Sequence, residues 1–137
     1  RVVIIGGAIQ GCELAEFLIK RGRKVTIVES SPVIGDGMVE PVKPLLFAWF
    51  KRKGIEIFTE AKNIEITGNG VSFITKEGIT KNIFADSIMP TSILKPERAL
   101  SEKIKGNISE IYLAGDCNQP GLIIDAVADG WEISRKL

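Results

Sequence analysis

Apolar residues fall in short runs separated by glycine-rich or polar segments, and this pattern predicts strands that alternate with helices. Val2–Ile5 is a continuous apolar run, as expected of a parallel strand that is buried on both faces. Gly6 and Gly7 interrupt the run, and apolar residues then recur at helical spacing over residues 9–21. Residues 24–29 form a second strand-like run. This part of the chain therefore predicts a strand, a glycine turn, a helix and a second strand.

The next segment repeats the helix and strand pattern. A helix is predicted to begin near residues 38–42, with Pro41 in its first turn, and to run as far as Gly54. Residues 55–58 are predicted to form a third strand of the same sheet. Strands that alternate with helices in this way indicate an α/β protein with a parallel sheet.

The pattern then changes to alternating apolar and polar residues with tight turns between the segments, which predicts antiparallel strands. After this meander, residues 85–89 are predicted to return to the main sheet. The three predicted strands of the meander are residues 63–67, 71–75 and 79–84.

The remainder of the chain is predicted to hold a linker, one strand and one helix. Residues 93–110 form the linker, residues 111–114 a buried strand and residues 123–137 the closing helix. This helix carries apolar residues that soluble monomers rarely leave exposed. We therefore expect residues 111–114 to join the sheet beside residues 85–89, and exchange of this segment with a second chain is the alternative.

Composition narrows the possible functions. The 137 residues suit one domain, and 18 basic against 17 acidic residues leave no tract that indicates nucleic-acid binding. No apolar run reaches the roughly 18 residues that a membrane span needs. The two cysteines are far apart and histidine is absent, so neither a disulfide framework nor a metal site is expected. A cytoplasmic location fits this composition, and Arg1, directly before a strand, suggests a domain cut from a longer protein.

The glycine turn after the first strand is typical of a dinucleotide site. In such turns the first glycine allows the tight bend, the second admits the phosphates, and the third lets helix and strand pack closely. Gly6 and Gly11 occupy the first and third positions, whereas Ala8 occupies the second. A turn of this kind is also found with a purely structural role, and that alternative stays open here.

An acidic residue at the end of the second strand supports the dinucleotide interpretation. Glu29 follows Gly6 at about the spacing at which such proteins bind the adenosine ribose. Its carboxylate repels a 2′-phosphate, and the following residues, Ser30, Ser31 and Pro32, include no arginine to bind one. The sequence therefore favours NAD(H) over NADP(H), with a solvated strand end as the alternative for Glu29.

These segments together resemble a known family. The motifs GGAIQGCE, VTIVE and YLAGDC, with the meander between them, are similar to the NAD(H)-binding part of the pyridine-nucleotide-dependent flavoprotein reductases. The NADH:flavin oxidoreductase and 2,4-dienoyl-CoA reductase group is the most similar, and flavoprotein subunits associated with benzoyl-CoA reductases share its domains. The resemblance implies a Rossmann-like, three-layer FAD/NAD(P)-binding fold for residues 1–137. Residues 1–92 would be its NAD-binding core.

The resemblance also implies which residues bind each cofactor. It implies that the parent protein binds FAD, whose own glycine motif would precede Arg1, and that Asp116 contacts this FAD. A turn or N-cap role is the alternative for Asp116. It implies no catalytic side chain, because the cofactors supply the chemistry. The residues that it implies for NAD(H) are Gly6, Gly7, Ala8, Ile9, Gly11, Glu13, Glu29 and Ser92.

Two departures from the family pattern support a competing hypothesis. Ala8 adds a methyl group at the closest phosphate approach and removes the freedom to adopt positive φ. Residues 89–92 read MPTS where relatives usually have an A-x-G turn. The competing hypothesis is a Rossmann-like domain that has lost its nucleotide and serves as a docking module. Cys12 and Trp131 are expected to be packing residues in either case.

Overall fold

A computed structural model describes residues 1–91 and 94–137 of the chain. The chain divides into two compact units, Arg1–Ser92 and Ile93–Leu137. The first unit contains seven strands and two helices among its described residues. Their bounds are β1 Val2–Ile5, α1 Ile9–Lys20, β2 Val25–Val28, α2 Lys43–Lys53, β3 Glu56–Phe58, β4 Lys62–Thr67, β5 Gly70–Ile74, β6 Thr80–Phe84 and β7 Ser87–Pro90.

Four of these strands form a parallel sheet in the order β3-β2-β1-β7. Ile5 is level with Val28 on one side and with Pro90 on the other. Because parallel strands place their carboxyl ends at one edge, the residues after β1, β2 and β7 meet there. This edge holds the glycine turn, Glu29 and Thr91.

The two faces of the sheet have separate cores. Val2 and Ile4 point to the face covered by α1 and α2, where they pack with Cys12 and Phe50. Val3 points to the opposite face and packs with the antiparallel sheet of β4, β5 and β6. The unit is therefore a three-layer α/β structure, and the predicted fold class, with its meander and returning strand, is confirmed.

The helix α2 begins later than the sequence suggested. It starts at Lys43, after an N-cap at Val42, and Pro44 lies in its first turn. Pro41 precedes the helix. The prediction that Pro41 lies in the first turn was therefore wrong. Pro44 has no backbone N–H, and only the first turn of a helix tolerates the loss of this donor, so α2 begins next to Pro44 and after Pro41.

The second unit contains helix α3 Ala99–Ile104, a 3-10 turn Gly115–Cys117 and helix α4 Ile123–Ser134. Residues 94–137 contain no strand, so the predicted strand at residues 111–114 is wrong, and so is its addition to the sheet. Ala114 does have extended backbone, with φ −133° and ψ 147°. An extended segment becomes a strand only when it exchanges backbone hydrogen bonds with a neighbouring strand. Trp131 is 61% exposed rather than packed, with the Arg135 guanidinium over its ring.

The contact between the two sheets of the first unit can be tested at Phe73. This side chain is 1% exposed, and its ring centroid lies 5.2 Å from that of Phe58. We expect Phe73→Ala to lower the free energy of unfolding by about 3–5 kcal/mol, because it leaves a cavity between the layers. Chemical denaturation measures this loss. The control is Phe84→Ala at a half-exposed position, where about 1 kcal/mol or less is expected. Equal losses at both positions would contradict the layer packing.

Candidate dinucleotide site

The glycine turn leaves β1 in a conformation that excludes other residues. Gly6 has φ +110°, and a Cβ there would lie 2.6 Å from Thr91 Oγ1. The Thr91 hydroxyl donates a hydrogen bond of 2.9 Å to the Gly6 carbonyl. A Cβ on Gly11 would collide with the same carbonyl, so α1 packs directly on the turn. Gly6 and Gly11 therefore have the turn and packing geometry expected of the first and third glycines.

Gly7 lies at the centre of the turn and is buried. Its N–H donates to Glu29 Oε2 at 2.5 Å, and its carbonyl accepts from the Gly35 N–H at 2.6 Å. A Cβ on Gly7 would lie 2.5 Å from Ile34 Cγ2. The loop of residues 34–36 thus covers one side of the turn and holds it by backbone contacts.

The N-terminus of α1 keeps part of its hydrogen-bonding capacity. Its N-cap, Ala8, has no side-chain cap, and the Ile9 N–H donates to the Asp36 carbonyl at 2.7 Å. Among the described residues, the Gln10 and Gly11 N–H groups donate no hydrogen bond. These two N–H groups, at the positive end of the helix dipole, are the kind of donors that bind anions.

The conformation of Ala8 differs from the sequence expectation. Its φ is −65° and its ψ −175°, an extended conformation that any residue adopts. The argument that alanine deprives the turn of a needed positive φ was therefore wrong, because the positive φ falls on Gly6 instead. At Ala8 the remaining difference from the family pattern is the added methyl group of the alanine side chain.

Glu29 is a buried carboxylate that accepts hydrogen bonds from three local donors. It is 8% exposed, and besides Gly7 it accepts from the Ser31 N–H at 2.7 Å and the Ser30 hydroxyl at 3.1 Å. Burial alone would raise the pKa of Glu29, but the Ser31 and Gly7 N–H groups and the neighbouring serine hydroxyls outweigh it and lower the pKa. A carboxylate has about four acceptor positions, so one remains for a further donor.

Cys12 and Glu13, next to each other on α1, have different environments. Cys12 is fully buried, its Sγ lies 3.3 Å from the Gly7 carbonyl, and burial raises the pKa of its thiol to about 11. The thiol is therefore neutral and packs as a small apolar group. Glu13 is exposed on the helix surface.

The remaining predicted site residues lie elsewhere. Ser92 is outside the described residues. Asp116 belongs to the second unit, where it is exposed in the Gly115–Cys117 turn and accepts a long hydrogen bond of 3.4 Å from the Gly121 N–H. The structure therefore brings together Gly6, Gly7, Ala8, Ile9, Gly11 and Glu29 in the first unit.

Sequence reasoning missed two parts of this site, Thr91 and the 34–36 loop. Thr91 could have been found, because it follows the strand that neighbours β1 and so lies at the same sheet edge. The loop contacts could not, because they are backbone hydrogen bonds between segments more than twenty residues apart and have no sequence signature.

Comparison with known proteins assigns the chain to a family. Residues 1–80 match the family model of pyridine nucleotide-disulphide oxidoreductases. The chain belongs to this family. The flavoprotein reductase resemblance that the motifs predicted is thereby confirmed at the level of the family.

Two curated relatives are similar to nearly the whole chain. The chain is 33% identical to an NADH oxidase of Thermoanaerobacter brockii, covering 99% of this chain and 21% of the relative. It is 30% identical to a bilirubin reductase of Mediterraneibacter gnavus, covering 96% of this chain and 20% of the relative. The chain therefore spans about a fifth of the length of these two relatives.

Solved structures agree on the fold. A 2-naphthoyl-CoA reductase complex superposes with a TM-score of 0.85 at 24% identity, over 99% of this chain and 21% of that one. Histamine dehydrogenase from Rhizobium sp. 4-9 superposes with a TM-score of 0.85 at 20% identity, over 100% of this chain and 22% of that one.

No described helix of this chain is long and apolar enough to cross a membrane.

The hydrogen bonds to Glu29 predict how stability depends on pH. Because the pKa of Glu29 is lower in the folded state, its stabilising effect is present above its unfolded pKa, about 4.3, and is lost as pH falls through the folded value. We expect Glu29→Gln to lower the free energy of unfolding by about 1–2 kcal/mol at pH 7.

Urea denaturation of both proteins between pH 7 and pH 3 measures this effect. The difference between wild type and Glu29→Gln should shrink as the pH falls, because protonation removes the same charge from the wild type. Glu65→Gln, at an exposed position on β4, is the control and should change little at any pH. A difference that is constant with pH would contradict the proposed state of Glu29.

Proposed function

We propose that this chain is the NAD(H)-binding part of a larger flavin-dependent oxidoreductase, in which it holds NADH so that the flavin can be reduced. The observation that carries the proposal is the glycine turn, with two N–H groups of α1 left without acceptors among the described residues, beside the buried carboxylate of Glu29. Membership of the pyridine nucleotide-disulphide oxidoreductase family supports it.

The turn would bind a pyrophosphate through its backbone donors. A Cβ on Gly6, Gly7 or Gly11 would meet neighbouring atoms at closer than ordinary contact, so the turn lies tightly on the end of the sheet. The Gln10 and Gly11 N–H groups supply donors, and the helix dipole favours negative charge there. The Asp36 carbonyl already accepts from Ile9, so the phosphates would rely on the other two N–H groups.

Glu29 fits the adenosine ribose of NAD(H). Three of its acceptor positions are used by its own chain, and the fourth is available to a ribose hydroxyl. The lowered pKa keeps the carboxylate charged at neutral pH. A charged carboxylate with no arginine among the next few residues disfavours the 2′-phosphate of NADP(H).

The second unit is proposed to contact the flavin. Its Gly115–Cys117 turn exposes the Asp116 carboxylate, which by family resemblance would bind the ribityl chain of FAD. The apolar residues Ile123, Ile124 and Val127 of α4 are more than 60% exposed, which is consistent with burial by the rest of a parent flavoprotein. We propose that this parent supplies the remainder of the FAD site.

The chemistry comes from the cofactors. When bound, NADH supplies a hydride that the flavin accepts, and no side chain of this chain need act as an acid or base. The residues of the glycine turn and Glu29 bind and orient the dinucleotide. Cys12 takes no part, because its buried thiol is neutral.

A docking module without nucleotide is the second candidate function. The Ala8 methyl group at the N-cap and the Asp36 carbonyl on the Ile9 N–H both favour it, because they reduce the space and the donors available to phosphates. The two functions differ in one measurable property, which is the affinity for NADH.

Calorimetric titration of the 137-residue chain with NADH and NADPH tests the proposal. We expect NADH to bind at least about tenfold more tightly than NADPH, because the 2′-phosphate meets the Glu29 carboxylate. Glu29→Gln should reduce this preference, whereas Glu65→Gln should leave it unchanged. Equal or tighter NADPH binding would overturn the role of Glu29. Absence of binding by either nucleotide would favour the docking module.

A further inference from the structure

The turn Gly115–Cys117 is packed closely on α4. Gly115 has φ +66°, and a Cβ there would lie 3.2 Å from the Cβ of Ala126. Two N–H groups, those of Asn118 and Gln119, donate to the Gly115 carbonyl at 2.8 and 3.0 Å. Glycine at 115 and a small residue at 126 thus let the turn lie against the helix.

A carboxylate of α4 accepts hydrogen bonds from the first residue of this turn and from the residue that follows its last. Asp129 Oδ2 accepts from the Gly115 N–H at 3.0 Å and from Asn118 Nδ2 at 3.1 Å. Asp129 is half-buried. One carboxylate oxygen therefore fixes the first residue of the turn relative to the residue that follows it.

A guanidinium fixes the same turn through its carbonyls. Arg98, the N-cap residue of α3, donates from Nε to the Cys117 carbonyl at 3.1 Å and from Nη2 to the Asn118 carbonyl at 2.6 Å. The planar fork of an arginine suits two neighbouring acceptors, which a lysine ammonium cannot match in fixed geometry.

The hydrogen bonds of Arg98 and Asp129 go to other groups of the turn and not to the Asp116 carboxylate. Among the described residues, it accepts one hydrogen bond, the long one from the Gly121 N–H. None of the residues of α3, the turn or α4 is buried, so apolar packing does little to set the geometry of the turn. The polar contacts of Arg98 and Asp129 therefore act together with the backbone hydrogen bonds to the Gly115 carbonyl to hold the turn that carries Asp116.

We propose that Arg98 and Asp129 are positioning residues that hold the Gly115–Cys117 turn so that Asp116 points its carboxylate at the flavin. This inference rests on the proposed function, because it takes Asp116 to be a flavin contact. Neither side chain touches the flavin in the proposal, and both act through the backbone of the turn.

A double-mutant cycle in the full-length flavoprotein tests the inference. The dissociation constant of FAD is measured for Asp116→Ala, for Asp129→Asn and Arg98→Gln, and for each of these two combined with Asp116→Ala. Asp129→Asn and Arg98→Gln alone should each weaken FAD binding about three- to tenfold, the effect of losing one hydrogen bond of ordinary strength. In the Asp116→Ala background the same changes should cost less than about twofold, because they then position nothing.

Controls separate positioning from folding. Glu132→Gln on α4 and Lys95→Gln before α3 change exposed charges in the same unit and should leave the FAD dissociation constant unchanged. Arg98→Lys keeps the charge but lacks the planar fork of the guanidinium, so it should bind FAD as weakly as Arg98→Gln. Melting of the apoprotein shows that each variant folds, and Asp129→Asn keeps the side-chain shape for that reason.

The outcomes distinguish the inference from the function on which it rests. Equal losses of FAD affinity with and without Asp116 would overturn the positioning role alone, because a structural effect does not depend on Asp116. An unchanged FAD dissociation constant in Asp116→Ala would overturn the assignment of Asp116 itself, and the positioning role with it. Restoration of binding by Arg98→Lys would overturn the role of the guanidinium fork.

Discussion

The hydrogen bond from the Gly7 N–H to the Glu29 carboxylate joins the two strand ends on which the candidate site depends. It connects the turn after β1 to the residue after β2, and Ser30 and Ser31 hold the other carboxylate oxygen. A buried carboxylate without such donors would be strongly unfavourable, so the donors and the charge require each other. With the turn fixed in this way, α1 can begin against the end of the sheet.

The rest of the first unit supports this arrangement from both faces of the sheet. The helices cover one face around Phe50, and the meander covers the other around Phe73. Gly11 brings α1 into direct contact with the turn, and Thr91 contacts the turn from the end of the neighbouring strand. The 34–36 loop covers Gly7, and its Asp36 carbonyl accepts a hydrogen bond from the Ile9 N–H. The site is therefore held from the side of the sheet, and among the described residues the N–H groups of Ala8, Gln10 and Gly11 donate no hydrogen bond.

The sequence predicted those features that depend on local patterns. Apolar runs such as Val2–Ile5 identified the parallel strands, because strands buried on both faces need apolar residues at every position. The spacing from Gly6 to Glu29 identified two residues that the fold brings together. The prediction failed at residues 111–114, where strand propensity is present but no hydrogen-bonded neighbour is. It also failed at Ala8, because which residue of a turn takes the positive φ depends on contacts with distant residues such as Thr91.

The central claim is that the Gln10 and Gly11 N–H groups of α1 receive the pyrophosphate of a nicotinamide dinucleotide. Titration of the ¹⁵N-labelled chain with NADH, followed by amide chemical shifts, tests it most directly, and adenosine, which lacks phosphate, is the comparison ligand. The account predicts that NADH shifts the Gln10 and Gly11 amides strongly, whereas adenosine shifts the amides near Glu29 and leaves those two in place. Unchanged Gln10 and Gly11 amides at saturating NADH would contradict it.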